Sequence, residues 1–287
     1  MTVSDIAASD TAVRSGRIGR TAVEALAGLL DLPAGPILAA GVLPPMWHCA
    51  QLPDIRAQAD LGPDGHPLAG VPSPPGPGLR RMFAGGRAVH LAPLRIGEPA
   101  VRRTAVISRA EKQGKSGPLT FVTVRNTFEQ DGRAVVVDEQ DIVYRPAAAA
   151  AGPAGDGGSR RPAWPGHPGP AGTGAEPGLT VDPVVLFRFS ALTANSHRIH
   201  YDRPYAATEG YPDLLVHGPL QVLVMAESLR HAGVALAGRR FEYRLQSPAV
   251  GPQRLTARLA VNERGEQTAV LTGSVSGAVA TARVGEP

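Results

Sequence analysis

The sequence predicts an α+β fold in which antiparallel sheet curls around a buried helix, and three observations predict it. Each half of the chain ends in a β-meander: Leu119 to Phe128 and Ala134 to Tyr144 in the first, then Arg254 to Val261, Gln267 to Val275 and Gly277 to Val284 in the second. The stretch Leu220 to Arg230 is apolar on nearly every helical face, and such a helix belongs inside something. Between the halves, the 33 residues from Pro146 to Gly178 hold 7 Pro and 9 Gly with few large apolar side chains, the composition of a linker.

Taken in order, a first domain is expected over residues 1–145, a flexible Pro/Gly/Ala linker over 146–179, and a second domain over 180–287. Met1 to Asp10 has two acids but no basic segment or apolar core, so no secretory leader is expected and the chain should be cytoplasmic. Pro44-Pro45-Met46-Trp47 should open a short helix, because proline at the first helical position lacks only an N–H that would go unpaired there. Asp131-Gly132 marks a tight hairpin between two strands rich in Val, Thr and Phe. Leu91 to Gly97 and Leu245 to Gly251 share Leu, an aliphatic residue and Gly at one offset, which suggests that the halves repeat. In the second domain His217-Gly218-Pro219-Leu220 starts the apolar helix, and Arg230, His231 and Gly233 end it. Each half is then a sheet around a helix, the hot-dog arrangement. The expected whole is a double hot-dog of two antiparallel sheets, each wrapped around a central helix, although an ordinary two-layer α+β sandwich shares the pattern.

Composition excludes several function classes. The chain of 287 residues is 43% hydrophobic and 19% charged, which rules out wholesale disorder, and no apolar run approaches the ~20 residues of a membrane span. A net charge of +4 invites a nucleic-acid reading, but the basic residues are nearly all Arg scattered through both halves, and aromatics are only 5%, too few for a stacking platform. Neither nucleic acid nor membrane is expected as a partner. The single cysteine, Cys49, forms no internal disulfide and no cysteine-based zinc site. Gly114-Lys115-Ser116 has the tail of a phosphate-binding loop, but Arg109 stands where its first Gly should be.

Chemistry concentrates in one block, Asn195-Ser196-His197-Arg198-Ile199-His200-Tyr201-Asp202, followed by Arg203 and, later, His217. On residue types alone it can be a surface loop with incidental histidines, or a metal site from His197, His200, Asp202 and His217, whose spacing matches no standard pattern. The block resembles the catalytic segment of the MaoC-like hydratases and dehydratases, and His217-Gly218 resembles the start of their central helix. Leu61-Gly62-Pro63-Asp64-Gly65-His66-Pro67, Arg80-Arg81-Met82-Phe83-Ala84-Gly85-Gly86 and Lys112 to Gly117 resemble the amino-terminal half of a two-domain branch. That branch includes mesaconyl-CoA and itaconyl-CoA hydratases and mitochondrial hydroxyacyl-thioester dehydratases.

The resemblance implies reversible hydration of an enoyl-CoA thioester, with no metal and no cofactor beyond the acyl-CoA substrate itself. Such a reaction needs a base to activate water, a polar group to hold it, and a donor at the thioester oxygen as enolate charge develops. His200 suits the first task, Asn195 the second, and the backbone N–H of Gly218, at a helix N-terminus, the third. The family's usual acid is Asn195 here; an amide orients water but exchanges no proton. Asp202 is expected to support the loop. The favoured substrate is mesaconyl-CoA or a similar short dicarboxylic thioester, whose second carboxylate needs a basic partner; Arg198, Arg203, Arg80 and Arg81 are the candidates, with His217 beside them at the substrate. The first domain, lacking such a loop, is expected to be non-catalytic. The alternatives are a fatty hydroxyacyl-thioester dehydratase and a non-catalytic acyl-CoA-binding protein; whether copies associate as a homo-oligomer stays open.

Overall fold

The computed structural model describes residues 11–72, 78–114, 117–146 and 178–287. From 147 to 177 the expected linker lies outside them. Five strands come from each side of that gap: β1 (Thr11–Arg17), β2 (Leu79–His90), β3 (Pro99–Gly114), β4 (Gly117–Gln130) and β5 (Arg133–Pro146), then β6 (Gly178–Val181), β7 (Arg240–Leu245), β8 (Gln253–Val261), β9 (Gln267–Gly273) and β10 (Gly277–Gly285). They pair antiparallel in the order β1-β3-β4-β5-β2-β7-β10-β9-β8-β6. The first five positions repeat in the last five in reverse, so the halves share one topology.

The helices are α1 (Arg20–Leu29), α2 (Ala34–Ala40), α3 (Pro183–Thr193), α4 (Arg203–Thr208) and α5 (Gly218–His231). Local chemistry explains the elements. Asp131 and Gly132 both take positive φ, 51° and 71°, the geometry that lets a two-residue turn follow the twist of β4 and β5. Asn262 Oδ1 accepts from the backbone N–H of Arg264 and Glu266, closing the β8–β9 turn. Helix α5 buries Leu220, Val222, Leu223, Val224, Met225 and Leu229 beneath β8, β9 and β10, and its position around the carboxy-terminal sheet is the one expected. Trp47 of the first half is fully buried and donates Nε1–H to Glu227 of α5 at 2.7 Å.

Two details differ from expectation. The two sheets are joined edge to edge, Ala88 opposite Phe241 and Gly86 opposite Tyr243, into one ten-stranded sheet. The central helix expected at Pro44-Pro45-Met46-Trp47 is a single 3-10 turn, Trp47–Ala50. Met46 is left-handed (φ 68°), which prevents the prolines from running into an α-helix, and Pro53 follows too soon to allow one. Among the described residues no α-helix corresponding to α5 therefore fills the face of β2–β5. In its place is a cavity of about 590 Å³, walled by Thr104, Val124, Asn126, Gln140 and Ile142 on that sheet and open to the second half.

Candidate active site

Helix α3 sets up the site. It ends at Ala194, left-handed at φ 53°, and the Asn195 N–H returns to Ser190 O at 2.9 Å. The chain is thereby turned so that Asn195, His197, Ile199 and His200 all reach the cavity wall. A 3-10 turn, Arg198–His200, follows, and Asp202 caps α4 by accepting the Tyr205 N–H. The second Asp202 oxygen takes both Nε (2.9 Å) and Nη2 (2.6 Å) of Arg198. Asp202 thus braces the loop and does not line the cavity.

His200 is buried, and its Nδ1 lies 2.8 Å from the carbonyl oxygen of Leu215. A carbonyl can only accept, so Nδ1 carries the proton and Nε2 the lone pair. Burial pushes this imidazole down to about 3, against which the Leu215 hydrogen bond works, and the nearby His197 and His66 lower it further. It is neutral at physiological pH and ready to accept a proton. Asn195 Oδ1 accepts the His197 N–H at 3.2 Å, which leaves its NH2 as a donor.

The same cavity is lined by the N-terminus of α5, which starts directly after His217, the residue stacked on His200. The Gly218 N–H has no acceptor among the described residues, and Pro219 has no N–H to compete with it. A Cβ on Gly218 would lie 2.5 Å from Phe83 Cδ1 and 2.9 Å from Leu245 Cδ2, so any larger residue here would have to push those two side chains aside. The helix dipole favours negative charge at this point.

The remaining candidates are placed differently. His217, expected at the substrate, is fully buried behind His200 with its Nε2 2.9 Å from Ser190 Oγ. Three of the four arginines are engaged away from the cavity: Arg198 by Asp202 and Pro63 O, Arg203 by Asp213 at 2.8 Å, and Arg80 by the Glu209 and Thr208 carbonyls. Arg81 does line the cavity, as do Arg102 and Arg145, which sequence reasoning missed. Also missed were Asp64 and His66, although they stand in the Leu61-to-Pro67 motif; the spacing Asp-x-His was the available signal.

The four residues weighed as metal ligands do not converge, since His200, His217 and Asp202 each spend a donor on Leu215, Ser190 or Arg198. Donor atoms of Asp64, His66 and His197 do come within 4.8 Å of one another. However, Asp64 and His66 satisfy each other, and His197 turns its Nε2 to Glu209 Oε1 at 3.3 Å, so these groups already have protein partners.

Comparisons with known proteins bear on the family and the fold. The family described as hydroxyacyl-thioester dehydratase type 2 matches residues 46–251. The chain is 43% identical over 247 residues to a mesaconyl-C(4)-CoA hydratase of Chloroflexus aurantiacus, covering 82% of this chain and 81% of that one. It is 42% identical over 90 residues, 30% of this chain and 29% of the relative, to a mitochondrial hydroxyacyl-thioester dehydratase type 2 of Schizosaccharomyces pombe. Among solved structures, a MaoC-like dehydratase from Phytophthora capsici superposes with a TM-score of 0.66 at 14% identity, over 96% of this chain and 95% of that one. A Mycobacterium tuberculosis protein described as a double hotdog fold does so at 0.54 and 16% identity, over 96% of each. The fold is thus the double hot-dog, and the chain belongs to the hydroxyacyl-thioester dehydratase type 2 family.

Proposed function

We propose that this protein is a hydro-lyase that adds water reversibly across the double bond of an enoyl-CoA thioester. The observation that carries the reading is the tautomer of His200: Nδ1–H is committed to Leu215 O, so the lone pair on Nε2 serves the cavity, which Gly218, its N–H unpaired among the described residues, also lines. In hydration the Asn195 amide holds a water, His200 Nε2 takes its proton, and the oxygen bonds to Cβ. Electron density moves onto the thioester oxygen, where the Gly218 N–H and the α5 dipole meet it. Collapse of the enolate with a proton at Cα completes the reaction. No metal or redox cofactor enters.

The favoured substrate is mesaconyl-C4-CoA or a similar short dicarboxylic thioester. The extensive similarity to a mesaconyl-C(4)-CoA hydratase supports it. So does the inner wall of the cavity, where Thr104, Asn126 and Gln140 present polar groups that would suit a long alkyl chain badly. The protein is read as cytoplasmic; no helix among the described residues is long and apolar enough to cross a membrane. A panel of mesaconyl-C4-CoA, crotonyl-CoA and long-chain 2-enoyl-CoA, followed by loss of enoyl-thioester absorbance, tests the reading. Fastest turnover of mesaconyl-C4-CoA is expected. Preference for the long uncharged chains would favour a fatty hydroxyacyl-thioester dehydratase instead, and binding without turnover would leave an acyl-CoA-binding protein.

A further inference from the structure

Hydration moves two protons, one off the water and one onto Cα. His200 can take the first; Asn195 cannot give the second, because an amide does not exchange protons at useful rates. Among the described residues of the second half, His197 and Tyr211 are the other titratable side chains on the cavity, and His197 has its Nε2 turned to Glu209 Oε1 at 3.3 Å. A further one is supplied from the first half by the loop Leu61 to Pro67.

This loop is fastened to the catalytic loop. The Arg198 N–H donates to Asp64 O at 2.9 Å, Arg198 Nη1 to Pro63 O at 3.0 Å, and Ser196 Oγ to Gly65 O at 2.6 Å. Gly65 has φ +87°, and a Cβ there would sit inside the Ser196 carbonyl, so the two loops touch backbone to backbone. The fastening fixes His66. Asp64 Oδ1 accepts the His66 N–H and Oδ2 faces its Nδ1, both at 3.0 Å, while the Gly62 N–H holds His66 O at 2.7 Å. The ring therefore has Nδ1 on a carboxylate, and its Nε2 is unengaged among the described residues. His66 lines the same cavity as His200, Asn195 and Gly218, its ring 3.9 Å from that of His197 and tilted 34° to it, and His197 in turn is 5.9 Å from His200.

We propose that His66, delivered by the amino-terminal half and held by Asp64, is the second proton-transfer group of the site. This rests on the hydration reading. As the Cβ–O bond forms, the water's proton goes to His200 Nε2 and the π pair moves into the enolate; as the enolate collapses, its electron pair takes the proton from His66 Nε2 and the Cα–H bond forms. His200 then releases its proton to solvent and His66 takes one up, so no net proton is consumed. In dehydration neutral His66 removes the Cα proton.

The surroundings of the two rings divide these roles. Burial lowers both, but at His66 the Asp64 carboxylate opposes that through its hydrogen bond and its charge, with His197 and Arg81 acting the other way. At His200 only a neutral carbonyl and the more distant Glu209 oppose it, and the ring is pushed down to about 3. The net effect at His66 is still downward from the ordinary histidine range, but less so than at His200, so of the two rings His66 holds a proton more readily. The amino-terminal half, expected to be non-catalytic, thus carries a catalytic residue.

The test uses full-length His66→Gln and Asp64→Asn with mesaconyl-C4-CoA and crotonyl-CoA, measuring kcat, KM and pH profile, and thermal unfolding to check the fold. His66→Gln should lower kcat by ~100-fold, with KM changed much less and the alkaline fall of the hydration rate abolished. Asp64→Asn should move that alkaline limb to lower pH, because the imidazolium loses its carboxylate; this readout stands if His66→Gln does not fold. A buttressing role would lower activity without moving the limb. Near-normal kcat in His66→Gln, or an unmoved limb in Asp64→Asn, overturns the proposal while a wild type active on either thioester keeps the hydration reading; a wild type that hydrates neither removes both.

Discussion

His217 lies flat against His200, 3.6 Å between ring centroids with the planes 19° apart, and its Nε2 is tied to Ser190 Oγ. One face of the proposed base is thus covered by a second imidazole that never meets the cavity. Burial lowers His217 well below the ordinary histidine range, and the neighbouring His200 and His197 add to this. Two stacked rings that resist protonation have a consequence for stability.

The protein should lose stability in mild acid. In the unfolded chain these histidines take up protons at about pH 6.5, whereas His200 and His90, each pushed down by burial to about 3, stay neutral when folded. The unfolded state therefore binds more protons below about pH 6.5. Their contribution is full above that pH and is lost as the pH falls towards about 3, at about 1.4 kcal/mol per pH unit for each ring. Denaturant unfolding between pH 7 and 4 measures the slope, and His90→Phe should reduce it. A pH-independent stability across this window would contradict the burial of neutral rings.

Removing the base should stop the chemistry and spare the fold. His200→Ala should lower turnover by ~100-fold or more while thioester binding persists. Asn195→Ala should also be severe, whereas Asn195→Asp should keep measurable activity, since a carboxylate can accept the His197 N–H and still position water. Steady-state kinetics with binding measured separately decides; near-normal turnover in His200→Ala would sink the mechanism.

The contact between Gly218 and Phe83 joins the proposed oxyanion donor of one half to a strand of the other. Gly218→Ala puts a methyl 2.5 Å from Phe83 Cδ1, and overpacking of this kind costs about 1–3 kcal/mol. Turnover should fall further than stability, because the displaced helix end carries the N–H. Adding Phe83→Leu should recover much of the stability, as thermal unfolding of the double variant will show; no recovery would mean that Leu245 is the tighter neighbour.

What the sequence made legible is what local chemistry specifies. Asp131-Gly132 announced its hairpin because the turn demands positive φ at both positions, and Leu220 to Arg230 announced a buried helix because no face of it is polar. Residue types alone left the loop from Asn195 to Asp202 open between a surface loop and a metal site, and its resemblance to a catalytic segment is what singled it out. Non-local relationships were not legible. The joining of β2 to β7 pairs residues about 150 positions apart, and nothing in either strand specifies its partner. Prolines 44 and 45 signal a helix start but not that Met46 turns left-handed and ends it. Arg198 is four residues from Asp202, a spacing that favours the ion pair actually formed. By contrast Arg203 meets Asp213, and Arg102 and His66 reach the cavity, only through the tertiary fold.

Arg102 is where the dicarboxylate reading is most exposed to test. It lies on the cavity wall near Thr104, Asn126 and Phe128, and its Nε is buried with no partner among the described residues. The adjacent Asp54 is already taken by Arg14 and Arg56, so three guanidiniums share one carboxylate and the corner is left positive. A second carboxylate on the acyl group would balance it and accept two hydrogen bonds from one guanidinium. Crotonyl-CoA, which has none, would gain nothing there. Arg102→Met should therefore raise KM selectively for mesaconyl-C4-CoA over crotonyl-CoA, by about 2 kcal/mol in discrimination, whereas Arg203→Met, engaged with Asp213, should not discriminate. Equal loss on both CoA thioesters would assign Arg102 to a phosphate of CoA, and crotonyl-pantetheine, which lacks the nucleotide, would then be unaffected by the substitution. No loss on any thioester would leave the positive corner without a role in substrate choice.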